Sequence, residues 1–306
     1  MTSKDVKPAN IDIAQTFQIE GLDVRGRLVR LGPALDAILD AHDYPRSVSM
    51  MLAETLTLAV TLASALKYEG IFTLQVQGDG PISLLVADIT SAGALRGYAR
   101  FDEQREAAAA DAEGAQVPRL LGNGHLAFTV DQGQDMERYQ GITELAGATL
   151  ADCAHNYFRN SEQLGTVIFL RTRLKGEGQN ETLCAAVMVQ RMPHTKADEG
   201  EADDGWRRAV VILASLTAEE LLDPKLDNDA LLYRLYHEDG VRTYTPQNVL
   251  HRCRCSREKV STTLKSFPRA EITVEDGSAQ VVCEFCKATY NFAVVELDAL
   301  FATKDS

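Results

Sequence analysis

The chain contains no apolar run long enough to span a membrane, and its first residues lack the apolar core of a signal peptide. Basic residues are also scarce, 31 against 44 acidic ones, which gives a formal net charge of -13. This charge repels polyanions and argues against a general affinity for nucleic acid or anionic lipid. These absences predict a cytoplasmic protein whose partners include neither nucleic acid nor a membrane.

Cysteine is rare as well, with six residues in the chain, yet four of them lie near one end. They form a CxC pair, Cys253 and Cys255, and a CxxC pair, Cys283 and Cys286. The cytoplasm keeps thiols reduced, so a permanent disulfide framework is disfavoured there. Clustered cysteines in such a protein favour metal binding or redox chemistry.

The N-terminal two thirds of the chain carries helix and hairpin patterns. Apolar residues at helical spacing predict one helix in "PALDAILDAH" and another from about Ser49 to Gly70. The alternating stretches in 72–77 and 82–86, separated by "GDGP", predict an antiparallel hairpin. Helices and hairpins without regular strand–helix alternation favour an α+β fold with a mixed or antiparallel sheet.

Further strands are predicted in "GALRGYARF", "GHLAFTVD", "TVIFLRTRL" and "TLCAAVMVQRMP", with a helical turn or loop at 102–118. A helix is predicted in "ATLADCAHNYFRNSEQL". Cys153 and Cys184 lie on apolar faces of these elements and are interpreted as buried core thiols. The second N-terminal helix carries an apolar stripe that fits either the core or a surface for other proteins: Met51, Leu52, Leu56, Ala59, Leu62 and Leu66.

After Pro193 the sequence becomes strongly acidic, which is typical of a linker. Helical periodicity in "WRRAVVILASLTAEELLD" and "DALLYRLYHEDG" nevertheless predicts short amphipathic helices there. Their apolar faces are expected to rest on the N-terminal domain or on the cysteine module. The predicted organisation is an α+β domain at 1–195, a helical linker at 196–247 and a small cysteine module at 248–306.

Four thiolates from the two pairs suffice for one tetrahedral Zn²⁺ per chain with no open coordination position. A closed shell is typical of a structural site, so no hydrolase or oxidoreductase activity is expected. His237 and His251 are nearby alternative ligands, although the four thiolates already complete the shell. The stretch "EITVEDGSAQVVCEFC" is interpreted as a strand, an Asp-Gly turn and a second strand that delivers Cys283 and Cys286.

Two interpretations of this module remain open from spacing alone. It is either a permanently reduced structural zinc module, serving as a scaffold, or a redox switch. The module is too small to fold on its own core, so bound metal would supply about 10 kcal/mol of its folding free energy. An oxidant that removes the thiolates would therefore also unfold the module.

The residues around the cysteines resemble a known family. "LLYRLYHEDGVRTYTPQNVLHRCRCSREKV" and "VVCEFCKATYNF" are similar to the C-terminal zinc module of the redox-regulated 33-kDa heat-shock chaperones of bacteria. The resemblance extends to "DVRGRLVRLG", "LKYEGIFTLQVQGDGPISLLV", "YQGITELAG" and "YFRNSEQLGT" in the N-terminal half. It covers nearly the whole chain in the same order.

The resemblance implies a stress-response holdase that needs no ATP. In this family the reduced, zinc-bound form is inactive, and oxidation releases zinc and unfolds the module and linker. The exposed apolar surface then binds unfolding client proteins, often as a homodimer. Carried over by motif, the implied disulfides are Cys253–Cys255 and Cys283–Cys286. The segment between the pairs departs from the family pattern, being a few residues short, with Pro268 where a helix often continues.

Overall fold

The structure is a computed structural model, and it describes residues 10–110, 112–133, 139–176, 179–193, 199–274 and 277–302. The chain divides into a large unit, Met1–His251, and a small unit, Arg252–Ser306. In the first part of the large unit the elements are, in chain order, β1 Ile13–Ile19, β2 Val24–Leu31, α1 Pro33–Leu39, α2 Arg46–Ala63, β3 Ile71–Gly78, β4 Ile82–Thr90, β5 Ala94–Phe101, α3 Glu103–Ala110 and β6 Gly124–Asp131.

The remaining elements complete the large unit and build the small one. In the large unit they are β7 Tyr139–Glu144, α4 Leu150–Tyr157, β8 Thr166–Arg173, β9 Leu183–Arg191, α5 Glu199–Ala214, α6 Ala218–Leu221, α7 Asn228–Tyr236, β10 Val241–Thr243, β11 Gln247–Asn248 and β12 Leu250–His251. The small unit contains α8 Arg257–Leu264, β13 Ser278–Val282, β14 Thr289–Ala293 and α9 Val294–Ala302. No helix among the described residues is both long enough and apolar enough to cross a bilayer.

The large unit contains two sheets. The first has the strand order β10-β1-β2-β9-β8, with β11 also paired to β1, and all its pairings are antiparallel. The second has the order β12-β5-β4-β3-β6-β7, in which only the short pairing of β12 with β5 is parallel. These mixed and antiparallel sheets with helices confirm the predicted α+β class.

Helix α2 packs against strands of both sheets, so it is buried on nearly every side. A helix that is apolar all round is expected in such a position. Two of its buried hydroxyl groups are satisfied within the helix, since Thr55 and Thr61 donate to the carbonyl oxygens of Met51 and Thr57. The apolar stripe of α2 is therefore core, except for Leu66, which lies beyond the helix end and is 40% exposed.

The linker helices α5, α6 and α7 cover the other face of the first sheet. Because neighbouring residues of a strand point to opposite faces, β2 and β9 supply apolar side chains to α2 on one side and to the linker on the other. This confirms that the apolar faces of the linker rest on the N-terminal domain. The buried side chains at this interface are Phe17, Ile19, Leu22, Val24, Leu28, Leu183, Ala185, Val187, Val189, Ala209, Leu213, Leu216, Leu221, Leu222, Leu231, Leu232, Leu235 and Tyr236.

Several predicted elements need correction. Helix α2 ends at Ala63 rather than near Gly70, because the chain turns after Ser64, whose hydroxyl donates to the carbonyl of Thr61. The region 102–118 contains a full helix, α3, within its first half. Strands β1, β2 and β7 were not predicted from periodicity.

The predicted hairpin of the small unit is also wrong in its pairing. Residues 271–274 form no strand, and β13 pairs instead with β14, which follows the second cysteine pair. Asp276 of the expected turn lies outside the described residues. The contact division places the linker within the large unit, and the three-part domain organisation stays a prediction.

Candidate metal centre

The small unit has very little apolar core. Its fully buried apolar side chains among the described residues are Leu264 of α8, Ala279 of β13, Phe292 of β14 and Leu297 of α9. Arg257 partly covers this core, with its guanidinium 4.2 Å from the centre of the Phe292 ring. A unit this small buries too little surface to offset the entropy of ordering its chain.

The first cysteine pair lies in extended chain just before α8. Ser256 caps this helix, because its hydroxyl accepts a hydrogen bond from the amide of Lys259. A capped helix start fixes the direction of the preceding residues, which here are Cys253 and Cys255. The sign of this cap in the sequence is Ser256 itself, which follows the CxC pair directly and is a common N-cap residue.

The second pair lies in the loop that joins β13 to β14. The amide of Cys283 donates to the carbonyl of Ala288, and the amide of Lys287 donates to the carbonyl of Cys283, both at 2.9 Å. Lys287 takes a left-handed backbone conformation, φ 57°, which closes the turn. This tight loop brings Cys283 and Cys286 to one end of the hairpin.

All four sulfur atoms lie within 4.8 Å of one another. The Sγ atoms of Cys253 and Cys283 are 3.8 Å apart, and those of Cys255 and Cys286 are 3.4 Å apart. Zinc–sulfur bonds of about 2.3 Å in a tetrahedron place the sulfur atoms about 3.8 Å apart. The four cysteines therefore have the donor atoms and the spacing that a tetrahedral metal ion needs.

The electrostatics of the cluster also favour a cation. Burial opposes ionisation of the Cys253 thiol, but hydrogen bonds from Cys255 and the other thiols outweigh it and lower its pKa to about 7. Burial raises the pKa of Cys283 and that of Cys286. The charge of Cys253 raises the pKa of Cys283 further, and hydrogen bonds with the other three thiols raise that of Cys286 further. One thiolate forms readily, and a divalent ion would be needed to hold the others as thiolates beside it.

Tyr290 is a neighbour of the cluster that the sequence interpretation missed. Its hydroxyl donates a hydrogen bond to the Sγ atom of Cys255 at 3.1 Å. A donor to a ligating sulfur orients the ligand and withdraws charge from it. The only signal available in the sequence is its position in β14, four residues after Cys286.

The other predicted candidates are placed elsewhere. Among the described residues, the group able to hold a metal contains the four cysteines and no histidine. His237 contacts Tyr233 through its ring and its Nδ1 atom, and His251 belongs to β12. Cys153 and Cys184 are both fully buried, which confirms that they are core thiols. Burial raises the pKa of Cys153 to about 11 and that of Cys184 to about 12.

The linker is held against the first sheet by a buried arginine that was not predicted. Arg30 of β2 is 3% exposed, and its guanidinium donates to the carbonyl oxygens of Leu221, Leu226 and Glu220 at 2.9, 2.5 and 3.0 Å. Burial lowers the pKa of Arg30 to about 10, so it remains charged at neutral pH. Tyr236 adds a hydrogen bond from its hydroxyl to the carbonyl of Ala209.

An α+β unit with a helical cover, joined to a small unit built around four cysteines, defines a class of protein with a cysteine cluster able to hold a metal ion near its C-terminal end. The family model described as "Hsp33 protein" matches residues 12–293. The chain belongs to the Hsp33 family.

Relatives with curated names agree with this assignment. A protein named "33 kDa chaperonin" from Caulobacter vibrioides is 41% identical over 286 residues, covering 91% of this chain and 94% of the relative. Another of the same name from Ectopseudomonas mendocina is 38% identical over 295 residues, covering 95% of each. The fold is similar to the crystal structure of the 33 kDa chaperonin of Thermotoga maritima, with a TM-score of 0.76 at 22% identity over 96% of this chain and 99% of that one.

Proposed function

We propose that this chain is a redox-regulated, ATP-independent chaperone that holds unfolding proteins under oxidative stress. Membership of the Hsp33 family and the name "chaperonin" of its relatives support a chaperone role. The observation that carries the redox part is the cluster of four cysteine sulfur atoms within 4.8 Å, in a unit that has almost no apolar core. A fold of this kind depends on its cysteines.

In the reduced state Cys253, Cys255, Cys283 and Cys286 hold one Zn²⁺ per chain. The ion supplies a cross-link between the segment before α8 and the β13–β14 loop. Four thiolates leave no position for a substrate or water, which fits a structural role. With the small unit folded and the linker helices covering the first sheet, the protein is inactive toward clients.

Oxidation replaces the four thiolates with two disulfide bonds. In each pair two thiolates give up two electrons and form one S–S bond, while one hydrogen peroxide takes up two protons and becomes two molecules of water. Two peroxides thus consume all four ligands and leave nothing to hold a metal. The implied pairs are Cys253–Cys255 and Cys283–Cys286. Because all four sulfur atoms are close, proximity does not select the pairing, and peptide mapping after oxidation would test it.

The consequence for client binding follows from the linker. Loss of the cross-link unfolds the small unit, and unfolding of the linker uncovers the apolar face of the first sheet. That face includes Val24, Leu28, Val187 and Val189, all now beneath α5–α7. A contiguous exposed apolar patch is typical of a protein-binding surface. Oxidised chains are proposed to act as homodimers in the cytoplasm, where the thiol pool restores the reduced form.

The proposal is tested by following the aggregation of a heat-unfolded client with light scattering. Peroxide-treated protein should suppress aggregation, and reduction should abolish the effect. A Cys283→Ser, Cys286→Ser variant should lose the response to peroxide. Cys153→Ala, which alters a thiol of the core, is the matched control and should keep it. Equal suppression before and after oxidation by the wild-type protein would contradict the proposal and favour a static zinc scaffold.

A further inference from the structure

A crevice of about 190 Å³ opens in the large unit at the C-terminal end of α2. It lies away from the linker-covered face, because its residues come from the α2 side of the first sheet, from the second sheet and from the turn that follows α4. That turn, Phe158–Glu162, is π-helical, a rare conformation that often marks functional sites. The lining of the crevice combines a group of aromatic rings with Arg25, Leu62, Leu66, Glu162, Leu164 and Gln190.

We call this crevice the aromatic crevice, because one of its walls is built from packed aromatic rings. Phe72 and Phe128 stack with their centres 5.6 Å apart, and Tyr157 meets Phe128 edge-on at 4.9 Å. Phe158 packs edge-on against Tyr157 at 5.4 Å. Ring faces and edges arranged in this way bind a further aromatic or large aliphatic group with favourable geometry.

The opposite wall carries two buried polar atoms that lack a partner. Gln190 is 2% exposed, and its Nε2 atom donates to Thr166, whereas its Oε1 atom has no hydrogen bond. The Nε atom of Arg25 is likewise buried and unpaired. The two residues are directly opposite on β2 and β9, so their Cβ atoms are about 5 Å apart. A buried donor or acceptor left unpaired destabilises the protein, and a ligand that pairs with both atoms removes this cost.

The charges around the aromatic crevice balance. The carboxylate of Glu162 accepts hydrogen bonds from the hydroxyls of Tyr139 and Tyr157. Burial, together with these bonds to Glu162, raises the pKa of both tyrosines, which stay protonated and donate. The lining contains one cationic side chain, Arg25, and one anionic side chain, Glu162. A ligand with a neutral dipolar group therefore fits better than an anion or a cation. The unpaired acceptor and donor together match the N–H and C=O of one amide.

We propose that the aromatic crevice binds one large apolar residue of an unfolded polypeptide together with its peptide group. Its volume is below the roughly 300–1,000 Å³ of pockets that hold drug-sized ligands, which suits a single side chain. The inference rests on the proposed chaperone function for the nature of the natural ligand. It adds a subsite that is open while the linker is still in place. With a Kd on the order of 1 mM for a single residue, this subsite is too weak by itself to hold a client, so the reduced protein stays inactive.

The test uses N-acetyl-L-phenylalaninamide as the probe and the full-length, reduced, zinc-loaded protein. Methyl resonances of Leu62, Leu66 and Leu164 are followed by NMR during the titration. A single-residue ligand should bind with a Kd on the order of 1 mM. N-acetylglycinamide, which lacks the ring, should produce no saturable shift, and the free acid N-acetyl-L-phenylalanine should bind more weakly than the amide.

Two variants sharpen the test. Gln190→Met removes the acceptor but keeps the side-chain length, and it should weaken probe binding about fivefold. Gln77→Met, at an exposed position of β3, is the matched control and should leave it unchanged. Leu66→Trp narrows the mouth of the crevice from a side chain that is 40% exposed, so it tests the site without disturbing the core. It should also weaken binding.

Absence of saturable shifts at the three leucines, or equal binding by the wild type, Gln190→Met and Leu66→Trp, would overturn the proposed subsite. Client aggregation measured on the same samples separates this outcome from failure of the chaperone function. Probe binding without redox-dependent suppression of aggregation contradicts the proposed function alone. Suppression of aggregation without probe binding contradicts the subsite alone.

Discussion

The two units of this chain are stabilised in different ways. In the large unit a single helix, α2, places Val48 and every residue from Met51 to Ala63 in the interior between two sheets. Among the described residues of the small unit, the buried ones are Leu264, Ala279, Phe292 and Leu297. Apolar burial of about 25 cal/mol per Å² must offset about 1.5 kcal/mol of conformational entropy per ordered residue, which the first unit can do and the second cannot. We therefore expect the second unit to depend on its cysteines.

The cysteines of the two units also differ, both in burial and in the pKa of their thiols. Cys153 and Cys184 are fully buried among apolar side chains, where burial raises the pKa of each thiol well above neutral pH. The cluster is partly exposed, and its Cys253 has a pKa lowered to about 7. Because the thiolate is the reactive form, oxidants should attack the cluster and spare the core thiols.

The largest expected effect comes from removing the metal. Chelation of the reduced protein should unfold residues 252–302, since thiolate zinc sites contribute on the order of 10 kcal/mol to folding. Hydrogen exchange with mass spectrometry should show lost protection in β13 and β14 and retained protection in β3, β4 and β6. Retained protection of β13 and β14 after complete removal of the metal would show that the small unit folds by itself.

A smaller effect is expected from loss of the hydrogen bonds that join Arg30 to the linker. Arg30→Met should leave the carbonyl oxygens of Glu220, Leu221 and Leu226 without their donor and destabilise the linker packing by about 3–5 kcal/mol. Faster hydrogen exchange in α6 and α7 would report this change. Arg207→Met is the matched control, because Arg207 pairs with Asp204 on the exposed surface of α5. Similar exchange rates in the two variants would contradict a fastening role for Arg30.

The interior of the large unit should show a pH dependence of its own, which comes from a buried carboxyl group and not from thiols. Burial raises the pKa of Glu54 on α2 from 4.5 to about 7, opposed by a hydrogen bond from Thr172 and by the charge of Arg171. The folded state therefore binds this proton more tightly, so its stabilising effect is complete below about pH 4.5 and is lost as the pH rises through 7.

Because of the raised pKa of Glu54, the free energy of unfolding should fall by about 2–3 kcal/mol between pH 5 and pH 8. Urea unfolding of the large unit at several pH values measures it. Glu54→Gln, which is neutral throughout, should remove most of this dependence. An equally steep dependence in the variant would assign it to other groups.

The smallest effect is expected from surface ion pairs of the small unit. Arg269 and Asp298 form one such pair at 3.1 Å, with Asp298 more than half exposed. Exposed pairs contribute about 0–1 kcal/mol, so Arg269→Ala should leave hydrogen exchange in the metal-bound unit nearly unchanged. Global loss of protection in this variant would mean that the unit depends on more than its metal and its small core.

Local patterns in the sequence predicted the elements that have clear periodicity. The hairpin of β3 and β4, the strands β8 and β9 and the linker helices follow from alternation or helical spacing. Strand β1 was missed because Gln15, Thr16 and Gln18 interrupt its apolar pattern. Strand β2 was missed because arginines, among them Arg27 and Arg30, interrupt its pattern. Both of these arginines are buried and pair with carbonyl oxygens of distant segments, which no local pattern reveals.

The candidate site was more predictable than its surroundings. Spacing alone predicted that the four cysteines lie together as candidate ligands, since CxC and CxxC each fix two sulfur atoms locally. The pairing of β13 with β14 was missed because the strand partner lies beyond the CxxC loop instead of before it. Tyr290 and the aromatic crevice depend on contacts between residues far apart in the chain, so they become visible only in the structure.

The most direct test of a metal-dependent switch follows zinc and chaperone activity in one sample. Reduced, zinc-loaded protein is treated with peroxide while a chromogenic chelator reports free zinc and light scattering reports aggregation of a heat-unfolded client. One zinc per chain should be released, and suppression of aggregation should rise with the same time course. Full release of zinc without any gain in suppression, or suppression that is complete before zinc is released, would contradict the account.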